Sequence, residues 1–215
     1  MTKQEIFTRI EEIGIIPAVR LPSAEAALYA SNALLSGGIP IVEITMTIPR
    51  ADDVISQLRR DSPDLIVGAG TVLDLDTARR SVDAGAMFLT CTGLDIEIID
   101  FADRSDIPII PGALTPSEVM MAMKAGADFI KLFPCSAMGG ASYVRALRGP
   151  FPKARFVASG GVSQQTAADF IQAGASALGV GQDLLPKEAI RVKNTEWVHE
   201  LTRRFLGMVQ EARGR

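Results

Sequence analysis

The chain has 215 residues, of which 47% are hydrophobic and 22% are charged, and its formal net charge is −3. That length can bury a full core, and no apolar stretch reaches the roughly 20 residues of a membrane span. The small negative charge and scattered basic residues argue against a nucleic-acid surface. The polar N-terminus has no apolar export signal behind it, so we expect a cytoplasmic protein.

Histidine and cysteine are scarce. The chain has one histidine, His199, and two cysteines, Cys91 and Cys135, without CxxC spacing. His199 lies in a C-terminal amphipathic segment, which disfavours a catalytic triad and any zinc site built from His and Cys. Proton transfer at neutral pH must then fall to a carboxylate, a lysine, a tyrosine or water, and a carboxylate-only magnesium site stays open.

A short pattern recurs four times along the chain. A helix-like stretch ends at a glycine and an apolar run follows, with the glycines at Gly38, Gly85, Gly126 and Gly174. Glycine at this point suits a left-handed helix C-cap, so each copy predicts a turn from a helix into a strand.

Eight apolar runs are predicted as strands: Ile15–Val19, Ile41–Thr45, Ile66–Val72, Met87–Thr92, Pro108–Ala113, Phe129–Pro134, Arg155–Gly161 and Ala177–Gln182. Helical patterns with N-cap signals at Ser23, Asp74, Thr115 and Ser163 lie between them. This alternation indicates a parallel sheet and an α/β fold, a (β/α)₈ TIM barrel with a short N-terminal helix over Lys3–Glu12. We expect a single domain over residues 1–215. An open doubly wound sheet is the alternative, but its G-x-G-x-x-G fingerprint is missing.

Lys131 stands inside the apolar run Phe129–Pro134. An unpaired buried ammonium is costly, so such a lysine tends to react as a neutral amine, the nucleophile of Schiff-base chemistry. The other interpretation is that its stem is buried while the ammonium reaches water or meets a carboxylate.

Active sites of barrels lie at the C-terminal ends of the strands. Polar residues at those predicted ends are Arg20, Glu43, Thr45, Thr71, Thr92, Thr115 and Lys131. Glu43, flanked by apolar residues, is the candidate general base, and a structural ion pair with Lys131 or Arg20 is the compatible alternative.

Gly160 and Gly161 end the predicted seventh strand, and a helix is expected to open at Ser163. Backbone N–H groups and a helix terminus would converge there on an anion such as phosphate. A tight turn that simply needs glycine is the alternative.

Five ordered segments carry a resemblance to a known family. They are Glu43-Ile44-Thr45, Gly68-Ala69-Gly70-Thr71-Val72, Ile110-Pro111-Gly112, Lys131-Leu132-Phe133-Pro134 and Ser159-Gly160-Gly161-Val162. The chain resembles the 2-keto-3-deoxy-6-phosphogluconate (KDPG) aldolases, a group that also carries 4-hydroxy-2-oxoglutarate aldolase activity. The resemblance implies a class I aldolase on a (β/α)₈ barrel, a homotrimer that acts on a small 2-keto acid and needs no metal or cofactor.

The resemblance also implies roles for residues. Lys131 matches the Schiff-base lysine and Glu43 the proton shuttle. The substrate-binding set it implies is Arg20, Thr45, Thr71, Pro111, Phe133, Gly160, Gly161 and Gln182, with Arg20 on a carboxylate and the two glycines on phosphate.

Three positions depart from the family pattern. Thr47 replaces an arginine, Gln182 and Asp183 stand where a phosphate-binding serine is usual, and Cys91-Thr92 replaces Ser-Pro. These departures leave the lyase chemistry in place and open the choice between phosphorylated and non-phosphorylated substrates.

Three hypotheses follow for the function. The leading one is an aldehyde-lyase that cleaves a 2-keto-3-deoxy sugar acid, such as KDPG or a related 4-hydroxy-2-oxo acid, to pyruvate and an aldehyde. The alternatives are a sugar-phosphate isomerase or epimerase that uses Glu43 as base, and a non-catalytic barrel that binds an acidic metabolite. Borohydride is expected to inactivate the protein in the presence of pyruvate only if the first hypothesis is correct.

Overall fold

The computed structural model describes residues 1–214. Its strands are Ile15–Val19 (β1), Ile41–Thr45 (β2), Ile66–Val72 (β3), Leu89–Cys91 (β4), Ile109–Ile110 (β5), Gly112–Ala113 (β6), Phe129–Leu132 (β7), Arg155–Ser159 (β8) and Ala175–Val180 (β9). The first three match the predicted bounds, and the others are shorter than or offset from them by a few residues.

The strands form one parallel sheet in the order β5-β4-β3-β2-β1-β9-β8-β7-β6. Only Pro111 separates β5 from β6 along the chain, and proline, which has no N–H, divides one strand into two pieces. These pieces join the two ends of the order, so the sheet is a barrel of eight strands. The predicted TIM barrel is confirmed.

Helices alternate with the strands and surround the barrel. They are Lys3–Ile13 (α1), Ala24–Ser36 (α2), Ala51–Asp61 (α3), Leu75–Asp83 (α4), Ile96–Arg104 (α5), Pro116–Lys124 (α6), Ala141–Arg148 (α7), Ala167–Gln172 (α8), Lys187–Arg191 (α9) and Thr195–Ala212 (α10). No helix among residues 1–214 is long and apolar enough to cross a membrane.

Helix starts follow their N-cap signals in three of four cases. The side chains of Ser23, Asp74 and Thr115 accept backbone N–H bonds at the starts of α2, α4 and α6. The helix expected at Ser163 is wrong, because α8 begins only at Ala167. The Ser163 carbonyl accepts from the N–H groups of Thr166 and Ala167 at 3.1 and 2.9 Å, so residues 163–166 form a separate turn before the helix.

The helix endings also follow the predicted pattern. The glycines of all four repeats, Gly38, Gly85, Gly126 and Gly174, have φ angles between 85° and 107°. That left-handed conformation is strained for any residue with a Cβ, so glycine allows the chain to turn sharply into the next strand.

Helix α1 packs at the end of the barrel where the strands begin. It buries Ile6, Phe7 and Ile10, and the Phe7 ring stacks on Phe129, the first residue of β7, with centroids 5.2 Å apart. The Arg155 guanidinium lies over the Phe129 ring at 4.4 Å. We call these contacts of Phe7, Phe129 and Arg155 the floor of the barrel, opposite the mouth where the strands end.

Candidate active site

Lys131 and Glu43 meet inside the barrel near its mouth. Both are buried, with only 7% and 3% of their surfaces exposed, and Lys131 Nζ lies 3.5 Å from Glu43 Oε2. Thr90 on β4 completes the cluster, because its hydroxyl donates to Glu43 Oε2 at 2.7 Å and accepts from Lys131 Nζ at 3.3 Å. The lysine is therefore paired, and the candidate nucleophile and the candidate base lie within one hydrogen-bonded group.

Local structure makes room for this group. An ideal Cβ on Gly70, in the neighbouring strand β3, would lie 2.0 Å from Glu43 Oε1, so any side chain there would displace the carboxylate. On the other side, the Lys131 backbone N–H donates to the Pro111 carbonyl at 2.8 Å, which fixes β7 against the divided strand. Pro111 thus supports the lysine through its backbone.

Arg20 and Thr71 form a second pair at the mouth. Arg20 Nη2 donates to Thr71 Oγ1 at 2.9 Å, and Thr71 has a φ of 58°. A threonine in the left-handed region is unusual, and such strain collects at functional sites. The pair presents a planar guanidinium that suits bidentate recognition of a carboxylate.

Thr45 is fully buried, and its hydroxyl has protein partners. Thr45 Oγ1 donates to the Val19 carbonyl at 2.9 Å and lies 3.1 Å from Thr47 Oγ1. It ties β2 to β1 two residues beyond Glu43, on the same face of the strand.

Gly160 and Gly161 have φ angles of 84° and 85°, in the region that favours glycine. A Cβ on Gly160 would lie 3.1 Å from the Phe133 ring, and one on Gly161 would lie 2.4 Å from Ser136 Oγ. The turn packs tightly against the segment after β7, as the tight-turn interpretation requires. The anion-site interpretation loses its adjacent helix terminus, because α8 begins at Ala167.

Gln182 follows β9 and is exposed. It lines a cavity of about 880 Å³ together with Arg20, Thr47, Lys187, Arg191 and Lys193. This cavity is lined by neither Lys131 nor Glu43, but it reaches the barrel mouth at Arg20, which also binds Thr71. Its lining holds four cationic side chains, of which Lys193 pairs with Glu25 at 2.7 Å and Arg191 with Glu188 at 2.6 Å. Arg20 and Lys187 are the cations of the lining that we expect to attract an anion.

The remaining titratable candidates have structural surroundings. Burial raises the pKa of the Cys91 thiol to about 12 and that of Cys135 to about 11, so both stay protonated at neutral pH. His199 Nε2 lies 2.9 Å from the Ser36 hydroxyl oxygen and joins α10 to α2. Within residues 1–214, no group of three or more His, Cys, Asp and Glu side chains is placed to hold a metal ion.

Sequence reasoning missed Thr90. It selected Thr92 after the fourth strand, whereas the residue that contacts the buried pair lies two positions earlier, inside β4. The available signal was a hydroxyl within the apolar run Phe88-Leu89-Thr90-Cys91, analogous to Lys131 in its own strand.

Known proteins show the same fold and sequence pattern. Residues 6–201 match the family model described as KDPG and KHG aldolase. A KDPG aldolase structure from Legionella pneumophila, with pyruvate captured at low pH as a covalent carbinolamine, superposes with a TM-score of 0.85 at 31% identity. It covers 90% of this chain and 94% of its own.

Two further relatives align over most of their length. The 2-dehydro-3-deoxy-phosphogluconate aldolase of Pseudomonas aeruginosa is 34% identical over 97% of this chain and 94% of its own. The KHG/KDPG aldolase of Escherichia coli K12 is 32% identical over 88% of this chain and 89% of its own.

The (β/α)₈ barrel, with a buried lysine and acid near its mouth, has the architecture of a barrel enzyme. The chain belongs to the KDPG and KHG aldolase family. It is an aldolase, a carbon–carbon lyase, which favours the leading hypothesis over the isomerase and the non-catalytic barrel.

Proposed function

We propose that the protein is a class I aldolase that cleaves a 2-keto-3-deoxy acid to pyruvate and an aldehyde, with Lys131 as the imine-forming residue. The observation that carries the proposal is the buried contact of 3.5 Å between Lys131 Nζ and Glu43 Oε2 at the mouth of the barrel. The carbinolamine of pyruvate in the Legionella relative supports covalent chemistry on the substrate carbonyl.

The reaction follows from these two groups. Lys131 gives one proton to Glu43 and attacks the C2 carbonyl carbon. The former carbonyl oxygen takes a proton from the nitrogen and the one held by Glu43, and it leaves as water to give an iminium ion and the Glu43 carboxylate. Glu43 takes the proton of the C4 hydroxyl as the C3–C4 bond breaks, its electron pair passing into the iminium to give an enamine and the free aldehyde. Returning a proton to C3 and adding water releases pyruvate and Lys131.

The substrate is KDPG or a related 4-hydroxy-2-oxo acid. The relatives are named for such substrates, and the cations around Arg20 and the 880 Å³ cavity favour an anionic ligand. Arg20 with Thr71 binds the substrate carboxylate, and Thr45 holds β2 in register behind Glu43.

The other proposed substrate contacts lie around the mouth. Pro111 and Phe133 form walls beside the pyruvyl part. The backbone N–H groups of Gly160 and Gly161 donate to a phosphate where the substrate has one, and Gln182 contacts the far end of the substrate. Thr47 and Gln182 replace an arginine and a serine of the family pattern, so they are the positions that decide phosphate preference.

Borohydride trapping tests the reaction. Incubation with pyruvate and borohydride is expected to add the mass of a reduced pyruvyl group to the peptide that contains Lys131. Lys124, which lies on the outer helix α6, serves as the internal control and stays unmodified. An unlabelled Lys131 peptide in active enzyme would refute the Schiff-base proposal.

A substrate panel tests the specificity. KDPG, its non-phosphorylated counterpart and 4-hydroxy-2-oxoglutarate are compared by the rate of pyruvate release. We expect turnover of at least one, with kcat/KM at least about tenfold higher for the preferred substrate because a well-placed polar contact discriminates strongly. Absence of turnover on all three would refute the assigned substrate class.

The family resemblance also implies a homotrimer of one-domain subunits in the cytoplasm, and we propose this assembly. Exposed apolar side chains support it, because Met120, Met121 and Met123 of α6 are 48%, 50% and 39% exposed. Such a patch is typical of an interaction surface. Light scattering is expected to give three times the 22.9 kDa of one chain, and a monomer would contradict the proposal.

A further inference from the structure

Thr90 is placed between the two groups that the proposed reaction uses. It is 1% exposed, and its hydroxyl lies 2.7 Å from Glu43 Oε2 and 3.3 Å from Lys131 Nζ. A threonine hydroxyl has one proton, so the bond donated to Glu43 leaves a lone pair for the lysine. The hydrogen bonds therefore run in one direction, from Lys131 through Thr90 to Glu43.

The fold fixes this placement. In the strand pleat Thr90 faces the barrel interior, while its neighbours Leu89 and Cys91 face the outer layer. A β-branched side chain in a strand has restricted χ1 freedom, so the hydroxyl keeps its direction. Parallel pairing of Thr90 with Ile110 and of Gly112 with Lys131 sets the height of both side chains in the barrel.

The contacts of Glu43 with Lys131 and with Thr90 differ in whether imine formation changes them. Once Lys131 Nζ is bonded to C2, the nitrogen keeps a single N–H. Its 3.5 Å contact with Glu43 is then no longer the contact of a free amine. The 2.7 Å bond from Thr90 to Glu43 involves neither the amine nor the substrate, so imine formation does not itself break it. It can orient the carboxylate after the lysine has reacted.

We propose that Thr90 is a positioning residue of the aldolase: its hydroxyl holds the Glu43 carboxylate in place for the proton transfers that follow imine formation. The inference rests on the proposed roles of Lys131 and Glu43. It predicts that loss of the hydroxyl slows proton transfer at C3 and C4 more than it slows imine formation.

Three variants separate these steps. Thr90→Val removes the hydroxyl at nearly constant shape, and Thr90→Ser keeps it. Thr202→Val is the matched control, because Thr202 is also fully buried and donates its hydroxyl to a carbonyl, Val198, but lies in the outer helix α10.

Trapping and proton exchange are measured with pyruvate, and kcat and KM are measured with the substrate that the enzyme cleaves. Borohydride trapping at Lys131 reports imine formation, and exchange of the pyruvate methyl protons with deuterium reports proton transfer at C3. For Thr90→Val we expect trapping within about threefold of wild type, and exchange and kcat lowered about tenfold or more with a smaller change in KM. Thr90→Ser recovers most of the exchange rate, and Thr202→Val matches wild type in all three.

Rates are normalised to the amount of trappable Lys131, so partial misfolding does not affect the comparison. After this normalisation, wild-type exchange in Thr90→Val, equal losses in the rates of trapping and of exchange, or a Thr90→Ser as slow as Thr90→Val would overturn the proposal for Thr90. Failure of wild-type protein to trap pyruvate at Lys131 would instead overturn the proposed function.

Discussion

Strand β7 runs from the floor of the barrel to the mouth, and its two inward-facing residues occupy opposite environments. Phe129 stacks on Phe7, and the Arg155 guanidinium lies over both rings. This guanidinium is part-exposed and pairs with Asp128 at 3.1 Å. Two positions later Lys131 is buried beside Glu43. At the floor a charge stays near water and covers an aromatic core, whereas at the mouth two charges are withdrawn from water.

The difference separates stability from chemistry. Stacked aromatic rings and a guanidinium over a ring stabilise a fold at little desolvation cost. A buried ion pair has to offset the desolvation of both ions, and replacing it by neutral groups is often neutral or stabilising. The floor should therefore hold the barrel together, and the mouth should perform the reaction.

The double variant Lys131→Met with Glu43→Gln is the strongest test of that division. It removes both charges at similar volume, so we expect kcat to fall at least about 10³-fold while the free energy of unfolding stays equal or rises by about 1–4 kcal/mol. Pyruvate release and urea unfolding measure the two quantities. A loss of stability greater than about 2 kcal/mol would show that the pair also holds the barrel together.

Phe7→Ala makes the opposite change at the floor. Deleting this fully buried ring leaves a cavity against Phe129, and we expect a loss of about 3–5 kcal/mol in the free energy of unfolding. Phe7→Leu is the control and should cost under about half as much, since most of the volume is kept. At a temperature where Phe7→Ala is folded, its kcat and KM should match wild type, and a large fall in kcat would contradict the separation of the two ends.

The strands of the barrel were more predictable from sequence than the contacts at its floor and mouth. Near-continuous apolar runs such as Ile41–Thr45 and the glycines before the strands are local signals, and local signals determine where strands begin. Lys131 and Glu43 were recognisable for the same reason, because each is a charge in an apolar run.

Contacts across the barrel were not predictable in this way. Thr90 lies 47 positions from Glu43 and 41 from Lys131, and its inward direction depends on the pleat of a three-residue strand. The start of α8 was misplaced because residues 163–166 form a separate turn, in which the Ser163 carbonyl accepts from the N–H groups of Thr166 and Ala167. Both errors concern single hydrogen bonds that periodicity does not encode.

Gly70→Ala adds one methyl group next to Glu43 and so tests the position of its carboxylate at the mouth. Its Cβ would lie 2.0 Å from Glu43 Oε1, so the carboxylate must move away from Lys131 and Thr90. We expect kcat to fall about 10–100-fold, the usual effect of a displacement near 1 Å in a catalytic group.

Gly207→Ala is the matched control for that methyl group. A Cβ on Gly207, in helix α10, meets nothing within 4 Å. It should leave kcat unchanged and raise the free energy of unfolding by about 0.5–1 kcal/mol through helix propensity. Equal kcat values for Gly70→Ala and wild type would mean that the position of Glu43 is not limiting.

The smallest expected effect concerns Cys91, which lies beside Thr90 and shows how the mouth contributes to stability at high pH. Burial raises the pKa of its thiol from 9.0 to about 12 in the folded protein. Well below pH 9 the thiol is protonated in both states and its contribution is complete. As the pH rises from 9 toward 12, the unfolded chain ionises first, so the free energy of unfolding falls by an amount on the order of 1 kcal/mol at pH 10. Urea unfolding at pH 8 and pH 10 should show a smaller fall in the free energy of unfolding for Cys91→Ala than for wild type. Phe7→Leu is the control and should show the wild-type fall. The same fall in all three proteins would mean that Cys91 is not the group responsible.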